Sequence, residues 1–294
     1  VTEQEDLARR FELHRGHLEG VAYRMLGSLS EADDAVQLTW LRLAGQDVDA
    51  IRDLRAWLTT VTSRICLDLL RSRSTRREEP LDLHLPDPVV TPASADPEEE
   101  AVLADSLGLA LLVVLDTLGP AERLAFVLHD VFAVPFDQIG AILNRSPAAA
   151  RQLASRARRR VREAGPAPTT DPAAQRAVLD AFLAAARRGD FEGLVAVLHP
   201  DVELLADAGD GPLGPSQRVT GARAVAEQAY RYRQMASAGA HALVNGVPGL
   251  VAAPGGRVVA VLSVTTVDGL ITRLTILADP ARLDRLHLPR FDPS

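Results

Sequence analysis

Apolar residues return at three- and four-residue steps through Leu54, Leu58, Val61, Ile65 and Leu69, which places them on one face of a helix. Residues 31–43 carry a second such stripe in Ala32, Ala35, Val36, Thr39 and Leu43. Glu31, Asp33 and Asp34 suit its positive N-terminal end, and Ser30 is the expected N-cap. From Gly119 the pattern sharpens. Pro120 opens a helix bearing Leu124, Val127, Leu128 and Val131, and Phe136, Ile139, Gly140 and Leu143 mark a short one. Asn144 to Ser146 form a three-residue turn, with Ser146 as N-cap and Pro147 at the first helical position. The helix that follows buries Ala150, Leu153, Ala154, Ala157 and Val161. It exposes Arg151, Gln152, Ser155, Arg156, Arg158, Arg159 and Arg162.

Further along, Ala177, Val178, Ala181, Phe182, Ala185 and Ala186 make a helical stripe that stops at Gly189. Asp190 to Leu198 reads as a second short helix, ended by His199-Pro200. Strand-like runs follow at Val202–Ala206, Ala242–Val247, Val258–Thr266 and Leu270–Leu277, the last two separated by the hairpin signal Asp268-Gly269. Helices followed by an antiparallel sheet predict an α+β domain. Two stretches break the periodicity. Glu78 to Glu100 holds five prolines, and Gly165 to Pro172 reads GPAPTTDP. The expected organisation is therefore a helical domain at 1–77, a linker at 78–100, a helix-turn-helix domain at 101–164, a linker at 165–172 and an α+β domain at 173–294.

Charge changes this picture once it is counted by segment. The 294-residue chain has a net charge of −7, and all of its basic residues are arginine. Residues 78–117 contain ten acids and no arginine, whereas residues 118–170 contain eight arginines and four acids. The acidic total thus comes from the region of the first linker, beside a basic helix. At 47% hydrophobic the chain can build cores, which excludes wholesale disorder. Cys66 is the sole cysteine, which excludes a disulfide scaffold. No apolar run approaches the roughly 18 residues of a membrane span. Val1 to Phe11 mixes acids and arginines unlike a signal peptide, so a cytoplasmic location is expected. Seven scattered histidines show no ligand spacing, and neither a metal nor a cofactor is expected.

Two helices joined by a three-residue turn, the second arginine-rich, describe a helix-turn-helix. The expected DNA contacts are Arg145, Ser146, Ala149, Arg151, Gln152, Ser155, Arg156, Arg158 and Arg159. Ala148 and Ala149 allow close approach to a groove. Arg151 and Gln152 suit guanine and adenine edges, and the later arginines suit phosphates.

Phe11–Leu43 (FELHRGHLEGVAYRMLGSLSEADDAVQLTWLRL) and Arg55–Glu78 resemble conserved region 2 of the extracytoplasmic-function sigma factors of bacterial RNA polymerase, and Leu118–Val161 resembles region 4. No block similar to region 1.1 or region 3 is visible. The resemblance implies core RNA polymerase and promoter DNA as partners. It implies polymerase docking by Asp33, Asp34, Gln37, Trp40 and Arg42. It implies reading and melting of the minus-ten element by the helix bearing Arg64, Asp68, Arg71 and Arg73, with base capture near the loop Asp47 to Leu54. The helix from Ser146 would read the minus-thirty-five element. Trp57, one step from Leu58 and Val61, is expected in the core.

Phe182–Asp207 and Ile271–Leu286 resemble the SnoaL-like domain, a cone of helices packed on a curved sheet. A subset of these sigma factors carries such an extension, which implies regulation from within the chain. Three motifs mark that subset, and this chain departs from each. WLPEP appears as His84-Leu85-Pro86-Asp87-Pro88. DGGGK appears as Asp207-Ala208-Gly209-Asp210-Gly211, without lysine. NPDKL appears as Asp279-Pro280-Ala281-Arg282-Leu283. The expected regulatory residues are Leu85, Pro86, Asp87, Pro88, Asp207, Asp210, Asp279, Pro280 and Arg282.

Such folds are often hollow, and a small-molecule ligand in this domain is an open expectation. They also host acid–base enzymes, for which His199, Asp201, Glu203, Asp207, Asp210 and His241 are candidates; turn and capping chemistry is the favoured account of these residues, and no enzyme is expected. A one-component helix-turn-helix regulator with a ligand-sensing domain is the alternative. It explains residues 118–294 and leaves the two N-terminal helices without a role.

Overall fold

The computed structural model describes residues 3–76, 84–93, 109–163, 169, 171–209, 211, 214–286 and 288. The chain divides into two compact units, one formed by Val1–Pro80 with Leu112–Gly165, the other by Leu81–Leu111 with Pro166–Ser294.

Among the described residues the first unit is helical. It comprises α1 (Glu3–Leu26), α2 (Leu29–Ala44), α3 (Leu54–Arg76), the helix α4 (Leu109–Asp116) from Leu112 onward, α5 (Pro120–Phe126), α6 (Phe136–Leu143) and α7 (Pro147–Glu163). A π-helical turn, Val127–Val131, extends α5. The stripe expected on α2 is buried as predicted, but the helix begins at Leu29 and Ser28 takes the N-cap position in place of Ser30. Phe11, Leu18, Val36, Leu43 and Leu58 form the core joining α1, α2 and α3, and Trp57 packs against it.

Among the described residues the second unit carries a seven-stranded sheet in the order β1-β4-β5-β6-β7-β2-β3. Its strands are β1 (Val90–Pro92), β2 (Leu198–Asp207), β3 (Gln217–Thr220), β4 (Gly239–Val244), β5 (Val247–Ala252), β6 (Ala260–Val267) and β7 (Leu270–Leu277). All neighbours are antiparallel except β2 and β7. Helices α8 (Pro172–Arg188), α9 (Phe191–Ala196), α10 (Ala222–Arg231) and α11 (Arg233–Ser237) accompany the sheet. Leu179, Phe182, Leu194, Val225, Leu250 and Leu274 belong to the shared core. A short α12 (Pro280–Leu283) follows β7. This is the helix-on-sheet arrangement expected of a SnoaL-like domain.

Three further local expectations are corrected. His199-Pro200 does not end a helix: α9 stops at Ala196 and β2 begins at Leu198. Pro200 falls where the β2–β7 register shifts between Leu198 and Glu203, a position that tolerates a missing N–H. The run Ala242–Val247 is not one strand. Asn245 and Gly246, both with positive φ, turn the chain between β4 and β5. The proline-rich stretch after α3 is not wholly outside the folded units either. Residues 90–92 pair with β4 at the sheet edge, where proline is accepted.

Candidate functional site

The helix-turn-helix is built by three local devices. Asn144 closes α6 in the left-handed region with φ 53°. The Ser146 hydroxyl accepts from the Ala149 amide at 3.2 Å, as an N-cap should. Gly140 lets α6 approach the turn, since a Cβ there would lie 2.7 Å from the Arg145 carbonyl oxygen. The buried face of α7 is Ala150, Leu153, Ala154 and Ala157, with Val161 half-buried.

On the opposite face, Arg145, Ser146, Arg151, Gln152, Ser155, Arg156 and Arg159 are exposed, and Ala149 is half-buried. Phe136 stacks on His129, with ring centroids 3.9 Å apart, and carries the Arg151 guanidinium 5.2 Å above its own centroid. Arg158 pairs with Asp130 at 2.6 Å and Arg160 with Glu122 at 2.5 Å, so these two brace α7 against α5 and its π turn. Arg159 meets Glu163 only at 3.9 Å on an exposed surface.

On α2, Asp33, Asp34, Gln37 and Arg42 are exposed, while Trp40 is half-buried edge-on to Phe11 at 5.2 Å. Leu38 and Leu41 share that exposed face at 45% and 65% exposure. Sequence reasoning passed over both. The signal was present: they fall out of phase with the buried stripe, and apolar residues on a polar face suit a partner surface.

On α3, Asp68 and Arg71 are exposed and form an ion pair with each other at 3.6 Å. Arg73 instead ties elements together, donating to the Leu26 carbonyl at 3.0 Å and pairing with Glu31. Arg64 donates to the Ala141 carbonyl of α6 at 3.2 Å. The two helical segments therefore pack on each other within this unit. Arg123, only 2% exposed, donates to the Arg24 carbonyl at 3.1 Å and to Asp116 at 2.9 Å. Arg24 lies over the Phe132 ring, and His17 meets the same ring edge-on at 5.2 Å. Burial, with Arg55 and His14 nearby, pulls the His17 pKa down to about 4.

The second unit gathers all three motif-like segments. Arg282 is 6% exposed and donates to Asp207 at 2.5 Å, to the Leu85 carbonyl at 2.6 Å and to Asp87. Asp207 also accepts from the Leu85 amide at 2.9 Å. Asp279 caps α12 by accepting from the Ala281 amide at 2.8 Å and from that of Arg282, and Pro280 occupies its first turn. Gly209, at φ 50°, passes so close to Asp279 that a Cβ would meet its carboxyl at 2.8 Å. Leu85, Pro86 and Pro88 are buried. Asn245 adds a second clasp: its amide donates to the Val89 carbonyl at 2.7 Å, and its side-chain oxygen accepts from the Val89 amide at 3.2 Å. Asp210 lies outside the described residues.

Of the remaining acid–base candidates, Glu203 is committed to Arg273 at 3.1 Å, His199 accepts from the Asp201 amide at 3.1 Å, and His241 faces Asp180 at 3.4 Å. A cavity of about 130 Å³ lies between helices and sheet, and none of these side chains, nor Asp207, lines it. Among the described residues no cluster of metal-ligating side chains is present, and no helix is long and apolar enough to cross a membrane.

Comparison with known proteins accords with this geometry. Residues 10–76 match the family model Sigma-70 region 2, and residues 108–161 match Sigma-70, region 4. The probable ECF RNA polymerase sigma factor SigI of Mycobacterium tuberculosis is 37% identical over 291 residues, 98% of each chain. ECF RNA polymerase sigma factor SigJ of the same organism is 41% identical over 284 residues, 92% of this chain and 91% of that one. The crystal structure of SigJ superposes with a TM-score of 0.77 at 37% identity, covering 96% of this chain and all of that one. Such coverage favours a sigma factor over a one-component regulator and accounts for the N-terminal helices that a regulator would leave without a role. With both sigma regions present in order and full-length relatives on either side of the linker, the chain belongs to the extracytoplasmic-function RNA polymerase sigma factors.

Proposed function

We propose that α2 docks on core RNA polymerase through Asp33, Asp34, Gln37, Trp40, Arg42 and the exposed Leu38 and Leu41. The polar side of α3 then reads the minus-ten element with Arg64, Asp68 and Arg71, while Arg73 holds that helix in place. The exposed face of α7 reads the minus-thirty-five element. The two elements lie about 25 base pairs apart, or about 85 Å of duplex at 3.4 Å per step. Helices bridged by Arg64 and Ala141 do not span that distance, so the helical unit opens when it engages a promoter.

The C-terminal unit regulates this step by holding residues 84–93. These residues lie in the chain between α3 and α4, so holding or releasing them alters the tether between the two DNA-reading segments. The observation that carries this reading is Arg282, buried and shared among Leu85, Asp87 and Asp207. The cavity serves to bind a small molecule: its described lining is apolar apart from Gln217, Gln228 and Tyr232.

Run-off transcription with core polymerase, comparing the full chain with its Arg282→Ala variant on the promoter upstream of its own gene, tests the regulatory reading. A change of several-fold in either direction supports it. Identical transcript levels, with residues 84–93 shown by proteolysis to be released, overturn it.

A further inference from the structure

The cavity has features that define its occupant. At one end lie four buried alanines, Ala208, Ala252, Ala260 and Ala278, whose short side chains leave the space unfilled. At about 130 Å³ it is close to the roughly 150 Å³ of an apolar cavity known to hold benzene. Among its described lining residues there is no arginine, histidine, aspartate or glutamate, so a charged ligand would lose its hydration without compensation. Gln217, Gln228 and Tyr232 are its polar lining residues, and of their side-chain atoms the Gln228 Oε1 is buried with no hydrogen-bond partner among the described residues. A buried carbonyl oxygen left without a donor is costly.

The same wall carries the linker clasp. Ala206 and Ala208 line the cavity, and between them Asp207 holds the Leu85 amide and Arg282. Ala278 also lines it and is followed directly by Asp279, the cap of the helix that bears Arg282.

We infer that the cavity takes a compact, neutral, apolar ring compound with a single O–H or N–H donor, of the phenol or indole class. The donor bonds to Gln228 Oε1, and occupancy changes how firmly residues 84–93 are held. This rests on the reading of the cavity as a ligand site. Because coupling is reciprocal, loosening the clasp also changes the affinity for the ring compound.

Calorimetric titration of the full chain with indole, phenol and toluene tests the ligand class, and limited proteolysis within residues 84–93, with and without saturating indole, tests the coupling. Indole and phenol are expected to bind about tenfold more tightly than toluene, with Gln228→Leu erasing the difference. Ala260→Leu, or the milder Ala252→Val, should abolish binding of all three while circular dichroism stays unchanged. Cleavage should change several-fold on adding indole. If toluene binds as well as phenol and Gln228→Leu has no effect, the ligand class is wrong although the cavity is a site. If none of the three binds at millimolar concentration, the ligand reading itself falls. Cleavage unaffected by bound indole overturns the coupling.

Discussion

Arg282 donates to Asp207 across 2.5 Å, and both side chains are 6% exposed, although 75 residues of chain separate them. The guanidinium also reaches Leu85 and Asp87, so a segment from the middle of the chain is held by residues near its end. Removing one partner of such a buried pair leaves the other charge without compensation. Arg282→Ala should destabilise the C-terminal unit by about 3–5 kcal/mol. Denaturant unfolding measures the loss, and faster proteolysis within residues 84–93 locates it. Arg282→Lys should recover only part, since one ammonium does not reproduce the planar fork.

Gly140→Ala tests the helix-turn-helix. The new Cβ would sit 2.7 Å from the Arg145 carbonyl oxygen, a backbone atom with little room to yield. A loss of about 1–3 kcal/mol is expected. Thermal unfolding should register it, together with weaker promoter binding by the holoenzyme.

The exposed residues of α7 should separate into two behaviours. Gln152→Ala should relax preference at one base pair of the minus-thirty-five element by about 1–3 kcal/mol. Arg156→Ala should weaken binding across all sequences and reduce the salt dependence by about one counterion. Holoenzyme binding to a promoter library at several salt concentrations distinguishes them.

His17 makes the helical unit sensitive to acid. Its Nδ1 faces Arg55 at 3.4 Å, its Nε2 faces Thr59 at 3.0 Å, and its ring packs on Phe132. Arg55 is a donor, so Nδ1 accepts and the imidazole is neutral. Its pKa is about 4 when folded, against 6.5 in the unfolded chain. Between those values the unfolded state binds more protons, so stability rises with pH. The contribution is complete above about pH 6.5 and lost as pH falls towards 4. His17→Gln should flatten the unfolding midpoint across that window.

Cys66 is fully buried, and burial pushes its thiol pKa up to about 12. Thiol reagents should leave it unmodified in the native protein and react only after unfolding. Modification at neutral pH without denaturant would contradict the burial.

The helices were legible because each buries one face against a neighbour, and the three- and four-residue recurrence records that face directly. The helix-turn-helix was legible down to Ser146 and Pro147 because capping is local chemistry. Arg123 and Arg282 were harder to read. Both are arginines buried by long-range partners, and nothing within a few residues of either announces the burial. Arg282 was assigned a role only through a motif-like run, and Arg123 received none. The turn at Asn245-Gly246 had a strong local signal, but the apolar residues around it read as one continuous strand. β1 escaped notice because prolines dominate its surroundings, and pairing at a sheet edge depends on a β4 that lies some 150 residues further on.

That edge has a cost. β4 pairs with β5 on one side and with β1 on the other, through Val90–Val244, Thr91–Leu243 and Pro92–Ala242. Freeing the segment that contains β1 would uncover a row of unpaired backbone donors and acceptors on β4, a template for strands from other molecules. The released state is then self-limiting by mass action: as its concentration grows, sticking between copies competes with transcription. A cell using this protein as a switch gains by keeping the freed form scarce, or by capturing it promptly on polymerase.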